Sequence, residues 1–468
     1  MPKKYHIETK VTAPRFPAVG KFSTVERRED CAGSCSKCVK KKCVYNVFKD
    51  SYQHVITMDE PEFLYLCQSC FRCVQECTKG IFSRVVNPDY VLMGDQYWQP
   101  EIINQTWFQA HTGRIPVSGA GYRGVFSGAG FDAMWTDMSE IVRPTRDGIH
   151  GREYISTSIE LSRKPMRLNF DDKGSLPASL PKITEVPIPV LLQPPSFGVF
   201  SEKEVVAMAS AAQRLHTLMF IDANDYSSAF SCFEGTMVPR VTARDYKEYV
   251  DIICRSKMVE IADAPGVVAE FPRLRGFKPG LLIAVGLPLD SKAPARALEL
   301  TLAGVDTIHF YADDNGREIG SDSPRPLRDL IREIHKKLID SKLRSTVNLV
   351  FSGGIAMAEH MAKAIICGAD GVVIDIPLLV ALECRLCGLC KTGGSCPVAI
   401  GEIDTAWGSQ RIVNLIGAWH NQLLEVMGAC GIREVRRLRG EVGRALFLED
   451  LERESFAPIF GQRKVPCE

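Results

Sequence analysis

Three things are scarce in this chain, and each absence excludes a class of function. The first is charge of one sign: 57 Lys and Arg stand against 56 Asp and Glu, a formal net charge of +1. Nucleic acids and anionic membrane surfaces are recognised through a basic excess or stripe, so neither is expected as a partner. The second is a long apolar run. No stretch approaches the ~18 consecutive apolar residues that span a bilayer, so no transmembrane segment is expected. The third is an apolar leader: Met1-Pro2-Lys3-Lys4-Tyr5-His6 opens the chain with no hydrophobic stretch behind its charges. A secretory signal is therefore not expected, and a cytoplasmic location is.

Cysteine is abundant instead, at 17 in 468 residues. In a reducing compartment these are not a disulfide framework, and their spacing must decide their use. Cys67, Cys70, Cys73 and Cys77 are separated by two, two and three residues, the run that holds a four-iron cubane in bacterial ferredoxins. Cys31, Cys35, Cys38 and Cys43 form a stretched version of it upstream. Two such runs predict a two-cluster ferredoxin-like domain, with Cys31, Cys35, Cys38 and Cys77 on one cluster and Cys67, Cys70, Cys73 and Cys43 on the other. Structural zinc is the competing use, but zinc favours paired knuckles over triplets. Cys384, Cys387, Cys390 and Cys396 repeat the triplet, with Pro397 after the last. Three (4Fe–4S) clusters are thus expected. Cys232, Cys254, Cys367, Cys430 and Cys467 are scattered and read as small buried apolar side chains.

The 45% hydrophobic and 24% charged composition is that of a globular protein, and the length implies two or three domains. The pattern predicts a leader at 1–30, the ferredoxin-like domain at 31–90, a glycine-rich connecting segment at 91–180, a barrel at 181–400 and a helical segment at 401–468. The barrel is read from alternating strands and helices. The strands are at 187–193, 281–287, 306–311, 347–351 and 372–374, and the helices at 201–215, 294–303, 327–338 and 356–367. Ser201 and Glu204 form a capping box. Such alternation implies a parallel α/β sheet, most economically a (β/α)8 barrel of the TIM type, with a doubly wound sheet as competitor. A long helix is expected over 405–428. His309 and His335 lie in periodic segments and need no function. The match of Gly119–Gly124 to a dinucleotide fingerprint lacks the flanking strand and helix, and is set aside.

Phe351-Ser352-Gly353-Gly354-Ile355 and Gly368-Ala369-Asp370-Gly371 are expected in loops where backbone N–H groups meet a phosphate. These segments, with Pro195-Ser196-Phe197-Gly198, Asp313-Asp314-Asn315-Gly316 and the last cysteine block, occur in the order seen in the FMN domain of glutamate synthase. The chain resembles the ferredoxin-fused, glutamate-synthase-like proteins of anaerobes over about residues 120 to 430. The resemblance implies FMN held by Ser196, Phe197, Gly198, Asp313, Ser352, Gly353, Gly354, Ala369, Asp370 and Gly371. It also implies an iron–sulfur cluster beside the flavin, where Cys387 is a fourth thiolate added to the family's three. The family's Gly-Glu-Gly-Gly segments are missing, with Asn224–Ser228 and Pro265–Val268 near their places, and Gly286 stands where a lysine is expected. The expectation is an electron-transferring oxidoreductase subunit that works with other redox subunits and does not make glutamate. The alternatives are a glutamate synthase large subunit and a cluster-only relay without flavin.

Overall fold

The computed structural model describes residues 5–16, 19, 21–26, 72–80, 82–115, 130–136, 155–165, 170, 172–176, 182–198 and 201–461. Its centre is a closed barrel of parallel strands: β1 (Val190–Leu192), β2 (Met219–Asp222), β3 (Met237–Val241), β4 (Met258–Ala262), β5 (Leu282–Pro288), β6 (Thr307–Tyr311), β7 (Asn348–Ser352) and β8 (Gly371–Ile374). Strand β8 pairs back onto β1, Val372 opposite Val190 and Ile374 opposite Leu192. That closure settles the choice against an open sheet. The strands are apolar on both faces because one face fills the barrel and the other lies under helices. Strand β7, for example, is buried at every position.

Local chemistry accounts for several elements where the sequence placed them. Helix Glu202–Arg214 starts at Ser201, whose hydroxyl accepts from the Lys203 amide while the Glu204 carboxylate accepts from the Ser201 amide. Helix Leu327–Asp340 buries Leu327, Leu330, Ile331, Ile334 and Leu338, the stripe read from its period. Strands β2 to β4 were not resolved from the pattern. The connection between β2 and β3 is made of 3-10 turns, Ala223–Asp225 and Ser228–Thr236, so the strand–helix rhythm is broken there.

The connecting segment holds a further surprise. Helix Pro100–Thr112 buries Asn104, Gln105, Thr106 and Gln109 among its apolar residues, which hides the apolar period. Two of those amides each meet one tertiary partner: Asn104 Nδ2 donates to the Val19 carbonyl at 2.9 Å, and Trp419 Nε1 donates to Gln109 Oε1 at 3.1 Å. The long helix Thr405–Ala429 lies between this helix and Glu202–Arg214. Across it runs the extended segment 5–16, fixed by Asn414, which accepts from the Lys10 amide at 3.0 Å and donates to its carbonyl at 2.7 Å. A Cβ at Gly417 would stand 2.5 Å from Thr9 Cγ2, so glycine admits this strap.

Strand Phe22–Glu26 pairs antiparallel with Phe82–Val86, Phe22 opposite Val86. The two ends of segment 27–81 therefore meet. Cys73 and Cys77 lie within that segment and are half-buried. Cys31, Cys35, Cys38, Cys43, Cys67 and Cys70 lie outside the described residues. Among the described residues, no helix is long and apolar enough to cross a membrane.

Candidate functional site

Side chains from separate strands converge inside the carboxyl end of the barrel, the end where barrel loops carry chemistry. Glu260 on β4 is buried, and its Oε1 accepts from Arg240 Nε at 2.9 Å and from the Tyr311 hydroxyl. His309 Nδ1 lies 2.7 Å from Glu260 Oε2, and His309 Nε2 lies 3.1 Å from Ser352 Oγ. Burial alone would push the Glu260 carboxyl up, but His309 and Arg240 beside it hold it at about 2. Burial also keeps the imidazole of His309 below its ordinary range, against the pull of Glu260. An ionised carboxylate only accepts, so Nδ1 carries a proton towards Glu260, while Nε2 faces Ser352 Oγ, whose hydroxyl donates to the Phe310 carbonyl at 3.4 Å.

Gly286 belongs to this cluster by what it lacks. A Cβ there would fall on the Tyr311 hydroxyl and stand 2.9 Å from Glu260 Oε1. The place where the resemblance expects a lysine is filled by a tyrosine and a glutamate. At the end of β8, Asp375 accepts from the Ile376 amide at 2.6 Å, and burial pushes its carboxyl up to about 6.

The glycine loop after β7 lies at this mouth, packed on the loop after β6. A Cβ at Gly353 would stand 2.5 Å from the Asp313 carbonyl oxygen, and one at Gly354 would strike the Gly316 amide. Both glycines have left-handed φ, +92° and +66°. The Asp313 carboxylate shapes its own loop, accepting from the amides of Asn315 at 3.0 Å and Arg317 at 2.7 Å. Ser196, Phe197 and Gly198 follow β1 on the same rim, with Gly198 against Leu379.

Ala369, Asp370 and Gly371 need correction. Ala369 and Asp370 precede β8 and Gly371 opens it, so all three lie at the amino end of the barrel, opposite the mouth. Asp370 Oδ2 accepts from Arg344 Nη2 and from the Leu349 amide, both at 2.8 Å, and Oδ1 accepts from Arg439 Nη1 at 2.7 Å. Its carboxylate is a structural anchor, and the three residues cannot share a ligand with Ser352–Gly354. Glycines mark turns into strands as well as turns out of them.

Directly after the short helix Ile376–Ala381 comes the cysteine loop. Cys384, Cys387, Cys390 and Cys396 are all half-buried, and the last three are the electrostatic neighbours of Cys384. Left-handed backbone at Glu383 (φ +75°), Leu386 (+50°) and Ala399 (+42°) bends the loop, strain that a packed functional loop tolerates. Its base is clamped from outside. Arg15 donates its amide to Glu383 Oε1 at 2.9 Å and its Nη2 to the Val398 carbonyl at 2.8 Å, while Arg411 Nε donates to the Ala381 carbonyl at 2.6 Å. Cys384 Sγ accepts from the Leu386 amide at 3.4 Å, a contact of the kind that tunes cluster potentials. Burial pushes the Cys384 thiol up to about 12, so the loop by itself keeps it protonated, and a bound metal would be needed to deprotonate it. Four thiols on one bent loop, with one N–H to sulfur, fit a four-iron cluster.

Residues 242–433 match the family model described as a conserved region in glutamate synthase. This chain is glutamate-synthase-like. The matched stretch runs from just past β3 through the cysteine loop and the whole of the long helix. An archaeal-type glutamate synthase (NADPH) of Dehalococcoides mccartyi is 24% identical over 480 residues, 89% of this chain and 93% of that protein. An archaeal glutamate synthase (NADPH) of Archaeoglobus fulgidus is 23% identical over 506 residues, 92% of this chain and 95% of that protein. Among solved structures, a mandelate oxidase with benzaldehyde aligns at 16% identity and a TM-score of 0.41, over 67% of this chain and 98% of that one.

Within this glutamate-synthase-like chain, Arg240, Glu260, His309 and Tyr311 are the residues that sequence reading missed. His309 and Tyr311 alternate on one strand, and a polar pair at period two inside an apolar strand was the available signal. Cys367 and Cys430 are buried as expected, whereas Cys232 is exposed. Cys467 and the Gly119–Gly124 motif lie outside the described residues.

Proposed function

We propose that this chain is the iron–sulfur flavoprotein subunit of a larger redox complex, carrying electrons between (4Fe–4S) clusters and FMN without making glutamate. It is an oxidoreductase. The carrying observation is where the cysteine loop hangs. Lys391, inside the loop, sits 4.0 Å from the ring centroid of Phe197 and 3.5 Å from Asp314, on the rim of the mouth. Arg385, next to Cys384, pairs with Asp89 at 3.3 Å and its carbonyl accepts from the Gly94 amide at 3.2 Å. Residues 89–94 follow the N-terminal cysteine runs by a short stretch. Trp98 Nε1 reaches the Asp314 carbonyl at 2.9 Å from the same segment. The loop therefore touches both the mouth and the chain leading from the first two cysteine blocks.

In this reading Cys384, Cys387, Cys390 and Cys396 hold the third cluster, and the N-terminal blocks hold the other two. Ser352, Gly353 and Gly354, with Ser196, Phe197, Gly198 and Asp313, would hold FMN. When bound, FMN exchanges one-electron steps for two-electron ones. The protein supplies spacing and potential, and other redox subunits supply and remove electrons.

The relatives' names favour a second reading, glutamate synthesis from 2-oxoglutarate. Against it stands Gly286, which has no room for a lysine beside Tyr311 and Glu260. Losing one preorganised electrostatic contact typically costs about 10²–10³ in rate. The test is one anaerobic preparation of the full chain, assayed for iron, flavin, cluster-to-flavin reduction and glutamate formation. About twelve irons and one flavin per chain are expected, with flavin reduced by a ferredoxin-like donor and no glutamate. Sustained glutamate formation would establish the second reading. Absence of flavin in iron-loaded protein would leave a cluster relay.

A further inference from the structure

Arg240 is tethered on one edge and open on the other. Its Nε is taken by Glu260 at 2.9 Å and its Nη2 reaches Gln193 Oε1 at 3.0 Å. Its Nη1 makes only a long ion pair, with Asp222 Oδ1 at 3.9 Å on a largely exposed side chain. The guanidinium side chain is itself only 19% exposed, so this edge is fixed by its partners rather than swept through solvent.

Gln193 completes the arrangement. A guanidinium only donates, so Gln193 must turn its oxygen towards Arg240, which leaves its amide nitrogen, with two N–H groups, next to that contact. The residue is held there by backbone, its amide donating to the Ile374 carbonyl at 3.0 Å just past β1. Strands β1 and β3 thereby bring two planar donor groups to one side of the mouth. The remaining charged groups set the size of what can bind. Glu260 already balances the Arg240 charge, and Asp222 and Asp375 are acidic.

We propose that the Nη1 edge of Arg240 and the amide nitrogen of Gln193 form a recognition site for one carboxylate group of a small monocarboxylate. Planar donors match a carboxylate in a forked pair of hydrogen bonds. A dicarboxylate of similar size brings a second charge towards Asp222 and Asp375, which repel it. The site extends the function beyond electron carriage, because it places an organic ligand at the mouth. It rests on side chains of β1 and β3 and stands whether or not the electron-carrying reading does.

The test is titration calorimetry of the anaerobically purified full chain, in a buffer without carboxylates, with acetate and with succinate as probes. Acetate is expected to bind at least tenfold more tightly than succinate. Gln193→Leu, which leaves the Arg240–Glu260 pair intact, is expected to weaken acetate at least fivefold. Arg240→Gln is expected to weaken it more than tenfold, and Arg240→Lys, which keeps the charge against buried Glu260, to weaken it less than Arg240→Gln. No heat with acetate overturns the proposal, as does succinate binding as well as acetate, or wild-type affinity in Gln193→Leu. Electron transfer from clusters to flavin, measured on the same preparation, is unaffected by either result and tests the other reading separately.

Discussion

Two buried carboxylates, Glu260 and Asp370, stand at opposite ends of one barrel and are used differently. Each is ionised against the cost of burial, Glu260 by His309 and Arg240, and Asp370 by Arg344 and Arg439. At the amino end the bonding is closed. Asp370 takes three donors, and Arg344 spends its guanidinium on Asp370, on the carbonyls of Val347 and Gly368, and on His335 Nδ1. At the mouth the bonding is open, because Arg240 keeps one edge free. Burial, charge and a shifted carboxyl are common to both. Spare hydrogen-bonding capacity is what separates an anchor from a site.

The largest expected effect breaks the closed end. Asp370→Ala should strand Arg344 in the interior and cost about 3–5 kcal/mol of stability in urea unfolding. Acetate binding at the mouth should survive wherever the variant is folded. Loss of binding in folded protein would mean that the two ends are coupled and the contrast is false.

A smaller effect sharpens the mouth. Burial raises the Asp375 carboxyl from 3.8 to about 6, so the folded state favours its neutral form. Its contribution is complete below about pH 4 and is lost as pH rises through 6, on the order of 3 kcal/mol in all. Asp375→Asn keeps an acceptor for the Ile376 amide and removes the titration. Unfolding midpoints of wild type and variant should therefore diverge between pH 4 and 7, with the variant the more stable at pH 7. Parallel curves would show that Asp375 titrates as an ordinary solvated acid.

The smallest effect concerns a contact outside both networks. The Asp89–Arg385 pair has one largely exposed partner, so Asp89→Ala should change stability by no more than about 1 kcal/mol. A larger loss would make this link between the cysteine loop and the N-terminal segment a structural joint.

The sequence alone was enough for whatever is encoded within a short window. The capping box of Ser201 and Glu204, the apolar stripe of Leu327–Leu338 and the spacing from Cys384 to Cys396 each depend on neighbours a few residues apart. The strand–helix rhythm after residue 281 likewise announced the barrel. Helix Pro100–Thr112 escaped because its buried amides find partners, Val19 and Trp419, that lie 85 and 310 residues away. The Gly368–Gly371 turn was legible as a turn, but strand direction alone assigns it to the amino end. The mouth cluster was beyond reach for the same reason on a larger scale. Arg240, Glu260, His309 and Ser352 come from four strands, and no pattern in any one of them registers the others. Closure of the barrel brings them within 2.7 to 3.1 Å of one another, and only closure removes the water that would otherwise solvate each alone.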